Sequence, residues 1–533
     1  MMGAAIASGA ALASEPGLGA LTLPGLLREV CTRFGPREAL VQGSARWTYS
    51  DLWERSVEVA AACRALGVGK STRVGVLMTN RPEWVSSVFG ITMAGGVAVT
   101  LSTFSTPSEL EYLLAKSGVS VLLYERFAPK RDFAEILSGI SLPYLRHRFS
   151  VDDDFVGLGS REDPSAVQAM ADAVEPSDPA VVFFSSGSTS KPKGVLSAHR
   201  AVSIQSWRFS RMYGFTPDDL PRCWPANGLF WSGNFGMAIG ATFAAGGAIV
   251  LQRTFAAAEA LELMQAEKVN FPLAWPHQWA QLAGAPNWDS VDLSALRFVD
   301  ARTALAAHPT VSGTWYEPSH AYGNTETFTL SACYPANTPA EVAGGSSGEP
   351  LPGNTFKIVD ALSGEVLPRG APGEICVKGP TLMLGYLGTP LDETLDPDGY
   401  FHTGDGGHLD DGGRVFWTGR LTDIIKTGGA NVSPLEVDEA LVSYPGVKVA
   451  QTVGVPHDTL GEVVVACVVP HDGSSLDSEK VLAYLREHLA AYKVPRHLLL
   501  FRSDEIALTG SAKIKSADLR ALAAQRLDTS RDH

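Results

Sequence analysis

The stretch "FFSSGSTSKPKGV", residues 183–195, sets Ser, Thr, Gly and two Lys directly behind the apolar run Val181–Phe184. Its composition suits a phosphate cradle, yet it is not the usual nucleoside-triphosphate loop, in which the Lys precedes Ser or Thr and opens a helix. Here Lys193 is followed by Gly194 and then "VLSAHRA". The apolar run reads as a strand. The loop beyond it, with Ser186, Gly187, Ser188, Thr189 and Lys193, offers backbone N–H groups, short hydroxyls and an ammonium to a polyphosphate, with no helix N-terminus required. A departing pyrophosphate would fit such a loop. Taken alone, a Ser/Gly-rich turn is more often only a turn, so the assignment depends on what accompanies it.

Around this loop lies a chain of 533 residues, several times the size of one hydrophobic core, so two or more units are expected. With 45% hydrophobic and 19% charged residues it reads as a soluble globular protein. The formal charge of −14 argues against nucleic acid or an anionic membrane as main partner. A phosphate-bearing small molecule must therefore find local positive charge. Cys31, Cys63, Cys223, Cys333, Cys376 and Cys467 lie far apart with no C-x-x-C pair, which fits reduced thiols and a cytoplasmic location better than zinc or a disulfide framework. The start "MMGAAIASGAALASE" has no basic opening and no sustained apolar run, so residues 1–16 are expected to be a disordered tail rather than a secretory signal. The uncharged stretch 235–251, "FGMAIGATFAAGGAIVL", is split by Gly246 and Gly247. It reads as a helix, a turn and a short buried strand, because a membrane span wants ~20 uninterrupted apolar residues.

Helix and strand patterns alternate through the first four hundred or so residues, as a parallel sheet covered by helices requires. Thr106, Pro107 and Glu109 fit N-cap, N1 and N3 of a capping box; Leu110, Leu113 and Leu114 then line one face and Gly118 ends the helix. The run "VSVLLY" after it reads as a buried strand, and "RVGVLM" (73–78) as another before the helix-like "PEWVSSVFGITMAGG". The end of the chain differs. "VKVAQTVGV" and "GEVVVACVV" read as strands, "DSEKVLAYLREHL" as a helix and "HLLLF" as a further strand, a small α+β unit joined through "GRLTDIIKTGG" (419–429).

Four more stretches carry chemistry. "YGNTET" (322–327) pairs the hydroxyl of Thr325 with the carboxylate of Glu326, suited to an α-phosphate oxygen and to Mg²⁺. "YFHTGD" (400–405) ends in Asp405, whose two oxygens can accept both ribose hydroxyls, and Arg420 precedes the small unit. "LTGSAKIK" (508–515) sets Lys513 on a Gly/Ser loop, where a lone Lys is otherwise a solvated surface charge. Together with the opening loop, in this order, and with "RVGVLMTNRPEW", "GEICVKGPTLMLGY" (373–386), "GGANVSPLEVDEAL" and "YKVPR" (492–496), they resemble the adenylate-forming superfamily of acyl-CoA synthetases, luciferases and peptide-synthetase adenylation domains. The resemblance spans nearly the whole chain and is nearest to the free-standing acyl- and aryl-CoA ligases.

That resemblance implies a luciferase-like adenylate-forming α/β fold: a large multi-subdomain N-terminal domain over 17–420 binding acid and ATP, and a small mobile α+β C-terminal domain over 421–533. It implies two half-reactions with ATP, Mg²⁺ and coenzyme A, in which a small-molecule carboxylate, bulky or cyclic bodies included, becomes acyl-AMP and then a thioester. By resemblance, Lys513 serves adenylation, Thr325 contacts the α-phosphate, Glu326 holds Mg²⁺, Asp405 binds the ribose and Arg420 reaches ribose or phosphate. Ala301, Arg302, Tyr322, Gly323 and Asn324 then flank AMP, Gly428 and Gly429 admit the pantetheine arm, and Thr422 marks the hinge. Phe230, Trp231, Asn234 and Phe235, with Ala301 and Phe328, would line an apolar acyl pocket suited to a hydrophobic carboxylate. No nucleic acid or membrane partner is implied, and a homodimer is allowed but not required.

The sequence departs from the family pattern at Ser190, where Gly is usual, at Thr422, at Ala512 before the Lys, and at the adenine-side turn "DARTA" (300–304) with Arg302. These departures leave open a chain that mainly forms thioester from a supplied acyl-adenylate. Two further readings also stay open: a non-catalytic adenylate binder, and a luciferase-like monooxygenase acting on the same intermediate.

Overall fold

The structure, a computed structural model, describes all residues except 1–2, 129–130, 186–191, 314, 319, 424, 428–429, 458, 472, 490, 503–504, 506–515 and 530–533. The apolar run that opens the phosphate stretch is a central strand, Pro179–Ser185. It pairs in parallel with Val97–Thr100 and antiparallel with Lys193–Ala198, and Ser185 stands opposite Lys193 in register. Val181, Val182 and Phe183 are at most 1% exposed, as a strand covered on both faces must be. Seven strands make this sheet, in the order Gly385–Tyr386, Lys193–Ala198, Pro179–Ser185, Val97–Thr100, Arg73–Leu77, Val121–Tyr124 and His147–Ser150.

Local rules account for the parallel units. Thr106 accepts from Glu109 N at 3.2 Å while Glu109 Oε2 accepts from Thr106 N at 2.7 Å, so the capping box forms and the helix Pro107–Ser117 starts where expected. Gly118 ends it at φ 60°. A second sheet orders Phe271–Leu273, Arg222–Pro225, Ala248–Val250, Glu38–Gln42 and Ala45–Thr48. The helices Leu23–Phe34, Tyr49–Ala65, Pro82–Met93 and His199–Met212 share one core with both sheets.

Stretch 235–251 forms a π-helical turn, Phe235–Gly240, continued by the helix Ala241–Ala245, a left-handed Gly246 at φ 79° and the strand Ala248–Val250. At Gly240 a Cβ would stand 2.3 Å from Ser206 Oγ, so glycine lets this helix lie directly on His199–Met212. Among the described residues no helix is long and apolar enough to cross a membrane. All six cysteines are free.

A third, antiparallel sheet orders Ile6–Ser8, Thr355–Val359, Gly373–Lys378, Phe401–Leu409 and Val415–Arg420. Its first strand corrects the expectation of a disordered tail. Ile6–Ser8 pairs with Thr355–Lys357, and Glu15, 1% exposed at its side chain, accepts from Arg208 at 2.7 Å and Arg211 at 2.8 Å. The partners lie some hundreds of positions away, beyond any local pattern. After Arg420 the chain enters the last sheet through Ile425–Thr427, which joins Ala430–Val432, Gly461–Pro470, Val447–His457 and His497–Leu500. The helix Ser478–His488 precedes His497–Leu500 in sequence, so the α+β pattern read at the end of the chain is present.

Candidate active site

The turn from Tyr322 to Thr329 is held in a strained form. Asn324 Oδ1 accepts from Thr327 N at 3.0 Å and Asn324 N donates to Thr327 Oγ1 at 3.1 Å, capping the single helical turn Thr325–Thr327. Phe328 and Thr329 then take φ 51° and 79°, a left-handed conformation that costs about 1–3 kcal/mol per non-glycine residue. Tertiary packing imposes it: Phe328 is fully buried with its ring 5.7 Å from that of Phe183. A Cβ on Gly323 would stand 2.0 Å from Thr329 O, so only glycine fits there. The result is a buried Glu326, a half-buried Thr325 and an Asn324 Nδ2 that is buried without a partner among the described residues. An unmet buried donor costs about 1–3 kcal/mol, and a ligand acceptor would satisfy it.

Beside this turn, Tyr322 Oη donates to Asp405 Oδ2 at 2.7 Å and Arg420 Nε lies 3.1 Å from Asp405 Oδ1. Asp405 and Arg420 face each other across neighbouring strands. Thr403 ties both down, accepting Asp405 N at its hydroxyl (3.1 Å) and Arg420 Nη1 at its carbonyl (2.7 Å). Burial pushes the Asp405 carboxyl above its usual range, although Arg420 and the Tyr322 hydroxyl pull it down. Burial and the adjacent carboxylate push Tyr322 well up, so it stays a donor at neutral pH.

Glu326 Oε1 accepts from Tyr386 Oη at 2.8 Å, and the ammonium of Lys193 sits 4.9 Å from the centre of the Tyr386 ring. Among the described residues no hydrogen bond reaches the second oxygen of Glu326. A carboxylate with one oxygen fixed and one free fits a hard, oxygen-seeking cation such as Mg²⁺.

The loop Asn227–Trp231 carries Phe230 and Trp231, two of the residues expected on the acyl side. Its backbone is pinned by Asn80, whose Nδ2 donates to Asn227 O and whose Oδ1 accepts from Leu229 N, both at 2.9 Å, and by Thr100 Oγ1 on Phe230 O at 3.1 Å. The Phe230 ring meets Phe104 edge-on at 5.9 Å and lies 5.3 Å from Trp231, which is half-buried. Phe235 and Phe328, both expected in the pocket, are buried core residues, whereas Asn234 is half-buried. Phe235 is 1% exposed and packs on Trp84, Phe89 and Phe183, which makes it core. Asn234 spends its amide on Gly228 O at 3.1 Å.

Ala301 N donates to Trp315 O at 2.9 Å, which fixes the adenine-side turn. Arg302 folds back on Asp300 through two bonds of 2.8 and 2.6 Å, so its guanidinium is committed to a carboxylate. Thr422 is exposed, with its hydroxyl 3.4 Å from Asp423 Oδ1. Ser186, Gly187, Ser188, Thr189, Ser190, Gly428, Gly429, Ala512 and Lys513 lie outside the described residues.

Sequence reasoning missed Tyr386 and Asn80, although both stand inside motif stretches. For Asn80 a signal existed: it follows the strand Arg73–Leu77, and ligands of parallel sheets gather at the C-terminal ends of strands. A phenol after Gly385 carried no such signal.

The chain matches the family model described as AMP-binding enzyme over residues 27–387, and that described as AMP-binding enzyme C-terminal domain over residues 436–513. It is 32% identical over 523 residues to a methyl-dioxo-octahydroindenyl-propanoyl:CoA ligase of Mycobacterium tuberculosis, covering 94% of this chain and 99% of that protein. A feruloyl-CoA synthase of an Amycolatopsis species is 32% identical over 496 residues, covering 92% and 96%. Among solved structures, ATP-bound MatB from Rhodopseudomonas palustris shares the fold, with TM-score 0.76 at 24% identity over 94% of this chain and 99% of that one.

Proposed function

Because the chain belongs to the AMP-binding enzyme family and is an AMP-forming acyl-CoA ligase, we propose that its acid is a hydrophobic carboxylate with a bulky or cyclic body. The observation that carries this reading is the pinned loop Asn227–Trp231, which contains no charged residue and sets a half-buried Trp231 against the buried ring of Phe230. Such a surface desolvates a carboxylate's apolar body and gives nothing to an amino group. The names of both ligases above specify a ring-bearing acyl group, which supports the same reading.

In the first step the acid attacks the α-phosphorus of ATP and pyrophosphate leaves. Two anions meet, so the site must place positive charge where negative charge accumulates. Lys193 faces the departing phosphates, Thr325 donates to the α-phosphate, and Lys513 serves the same transfer. Asp405, with acceptor capacity beyond its bonds to Tyr322 and Arg420, takes the ribose hydroxyls. The unpartnered amide of Asn324 donates to the base. Glu326 would hold Mg²⁺, whose charge neutralises the phosphates. In the second step the thiol of coenzyme A attacks the acyl carbon and AMP departs. Residues 421–533 act as a small domain turning at Thr422, which exchanges Lys513 for the segment holding Gly428 and Gly429.

A panel running from acetate to aryl and bicyclic acids, read separately as pyrophosphate release and as thioester, tests this. Ring-bearing acids are expected to exceed acetate by about 10²-fold or more in kcat/KM, since each buried methylene contributes roughly tenfold or more. Equal rates across the panel would overturn the reading.

A further inference from the structure

We infer that Tyr386 is a positioning residue that holds apart, and holds in place, the two opposite charges on either side of the triphosphate: its hydroxyl fixes the Glu326 carboxylate and its ring seats the Lys193 ammonium. This rests on the reading of Glu326 as the Mg²⁺ carboxylate and Lys193 as the phosphate cation.

The backbone makes Tyr386 the junction. Val195 pairs with Tyr386 and Leu196 with Gly385, so Tyr386 is tied to the strand that Lys193 begins. Leu384 N donates to Leu196 O at 2.7 Å and Leu387 N to Gly194 O at 2.8 Å, on either side of it. One residue further back, Met383 N donates to Glu326 O at 2.7 Å. The same short segment therefore zips the phosphate strand to the turn carrying Glu326. Gly385, at φ 138°, supplies a bend that a side chain would strain.

The side chains complete the geometry. The hydroxyl reaches Glu326 at 2.8 Å and the ring centre lies 4.9 Å from Lys193 Nζ. Among the described residues no ion pair joins Lys193 to Glu326. A direct pair between them would spend each charge on the other and leave less for phosphate and metal. A neutral ring between the two blocks that collapse while still favouring the cation electrostatically. It also pre-orders Lys193, whose flexible stem otherwise carries large rotamer entropy.

Two substitutions separate the two roles. Tyr386→Phe keeps the ring and removes the hydroxyl; Tyr386→Leu removes both. Calorimetric titration of the full chain with ATP, without Mg²⁺ and across a Mg²⁺ series, reads binding independently of turnover. Tyr386→Phe should bind metal-free ATP within about twofold of wild type yet need about tenfold more Mg²⁺ for half of its effect, consistent with loss of one hydrogen bond to a charged group. Tyr386→Leu should in addition weaken metal-free ATP by about tenfold, the range of a desolvated cation–π contact. Glu326→Gln should remove most of the Mg²⁺ response. A wild-type Mg²⁺ response in Tyr386→Phe, with the response lost in Glu326→Gln, overturns the positioning role and leaves the site reading standing. A wild-type response in both overturns the reading of Glu326 itself. Thermal unfolding checks the fold, and if Tyr386→Leu does not fold, Tyr386→Phe decides alone.

Discussion

Around Asp405 and Glu326 each functional side chain is held by another side chain: phenol to carboxylate at Tyr322 and Tyr386, guanidinium to carboxylate at Arg420. The loop Asn227–Trp231 is held through its peptide groups, by Asn80 and Thr100, and among the described residues its two rings pack on each other and on Phe104. The difference suits two kinds of ligand. A nucleotide offers fixed polar groups, and charge-assisted bonds between neighbours pre-orient their receptors. An apolar acid offers only shape, so rings can change on a loop whose course is set elsewhere. Substitutions should therefore spread along the nucleotide side and stay local on the acyl side.

The largest expected effect is that of Asp405→Ala. It removes the acceptor of Tyr322 and the partner of Arg420 together with the ribose contact, and should lower ATP affinity by about 10²-fold or more, since breaking a paired buried charge is among the costliest changes. The Michaelis constant for the acid, measured at saturating ATP, should stay within a few fold. A matching rise for the acid would abolish the contrast. Next, Asn80→Ala removes two bonds to the acyl loop and should raise the acid's Michaelis constant about tenfold, roughly 1 kcal/mol per bond partly recovered by water, while ATP affinity stays near wild type. If ATP suffers equally, Asn80 serves the whole fold.

The smallest effect concerns pH. Burial raises the Asp405 carboxyl, so on acidification it takes up its proton earlier than an ordinary aspartate would. ATP affinity should then fall several-fold as pH drops through that raised value, roughly tenfold per unit at most. For the empty protein the sign is opposite. A carboxyl raised on folding contributes stability that is present below its unfolded value and lost as pH rises through the folded one. Calorimetry of ATP binding from pH 7.5 downward, in wild type and Asp405→Asn, checks it: only the wild type should show the acid limb.

Much of the frame was legible because local rules decide it. Thr106 and Glu109 cap a helix through atoms three residues apart, and Gly118 ends it at a backbone angle that glycine favours. Val181–Phe184 read as a strand and lies within the strand Pro179–Ser185. The chemistry-bearing residues Tyr322, Glu326, Asp405 and Arg420 were legible as types in an order. Ile6–Ser8 was not, since its partner is distant in sequence, and neither was the buried Glu15 with its two arginines. Phe230 and Phe235 have the same side chain, five positions apart, and both are buried, but Phe230 packs on Phe104 and Trp231 and Phe235 on Trp84, Phe89 and Phe183.

By itself, the order of residues determined the helix caps, most of the strands and the identity of the charged groups, because hydrophobic period and turn geometry are properties of neighbouring residues, and its motifs carried the family resemblance that implies adenylate-forming chemistry. Only the tertiary structure decided which groups meet: that Tyr386 touches both Glu326 and Lys193, that Arg302 turns onto Asp300, and that Asn80 pins the loop Asn227–Trp231. Most of those contacts join segments tens to hundreds of positions apart, and their energies exist only once packing has paired the strands and fixed both partners against the loss of conformational freedom.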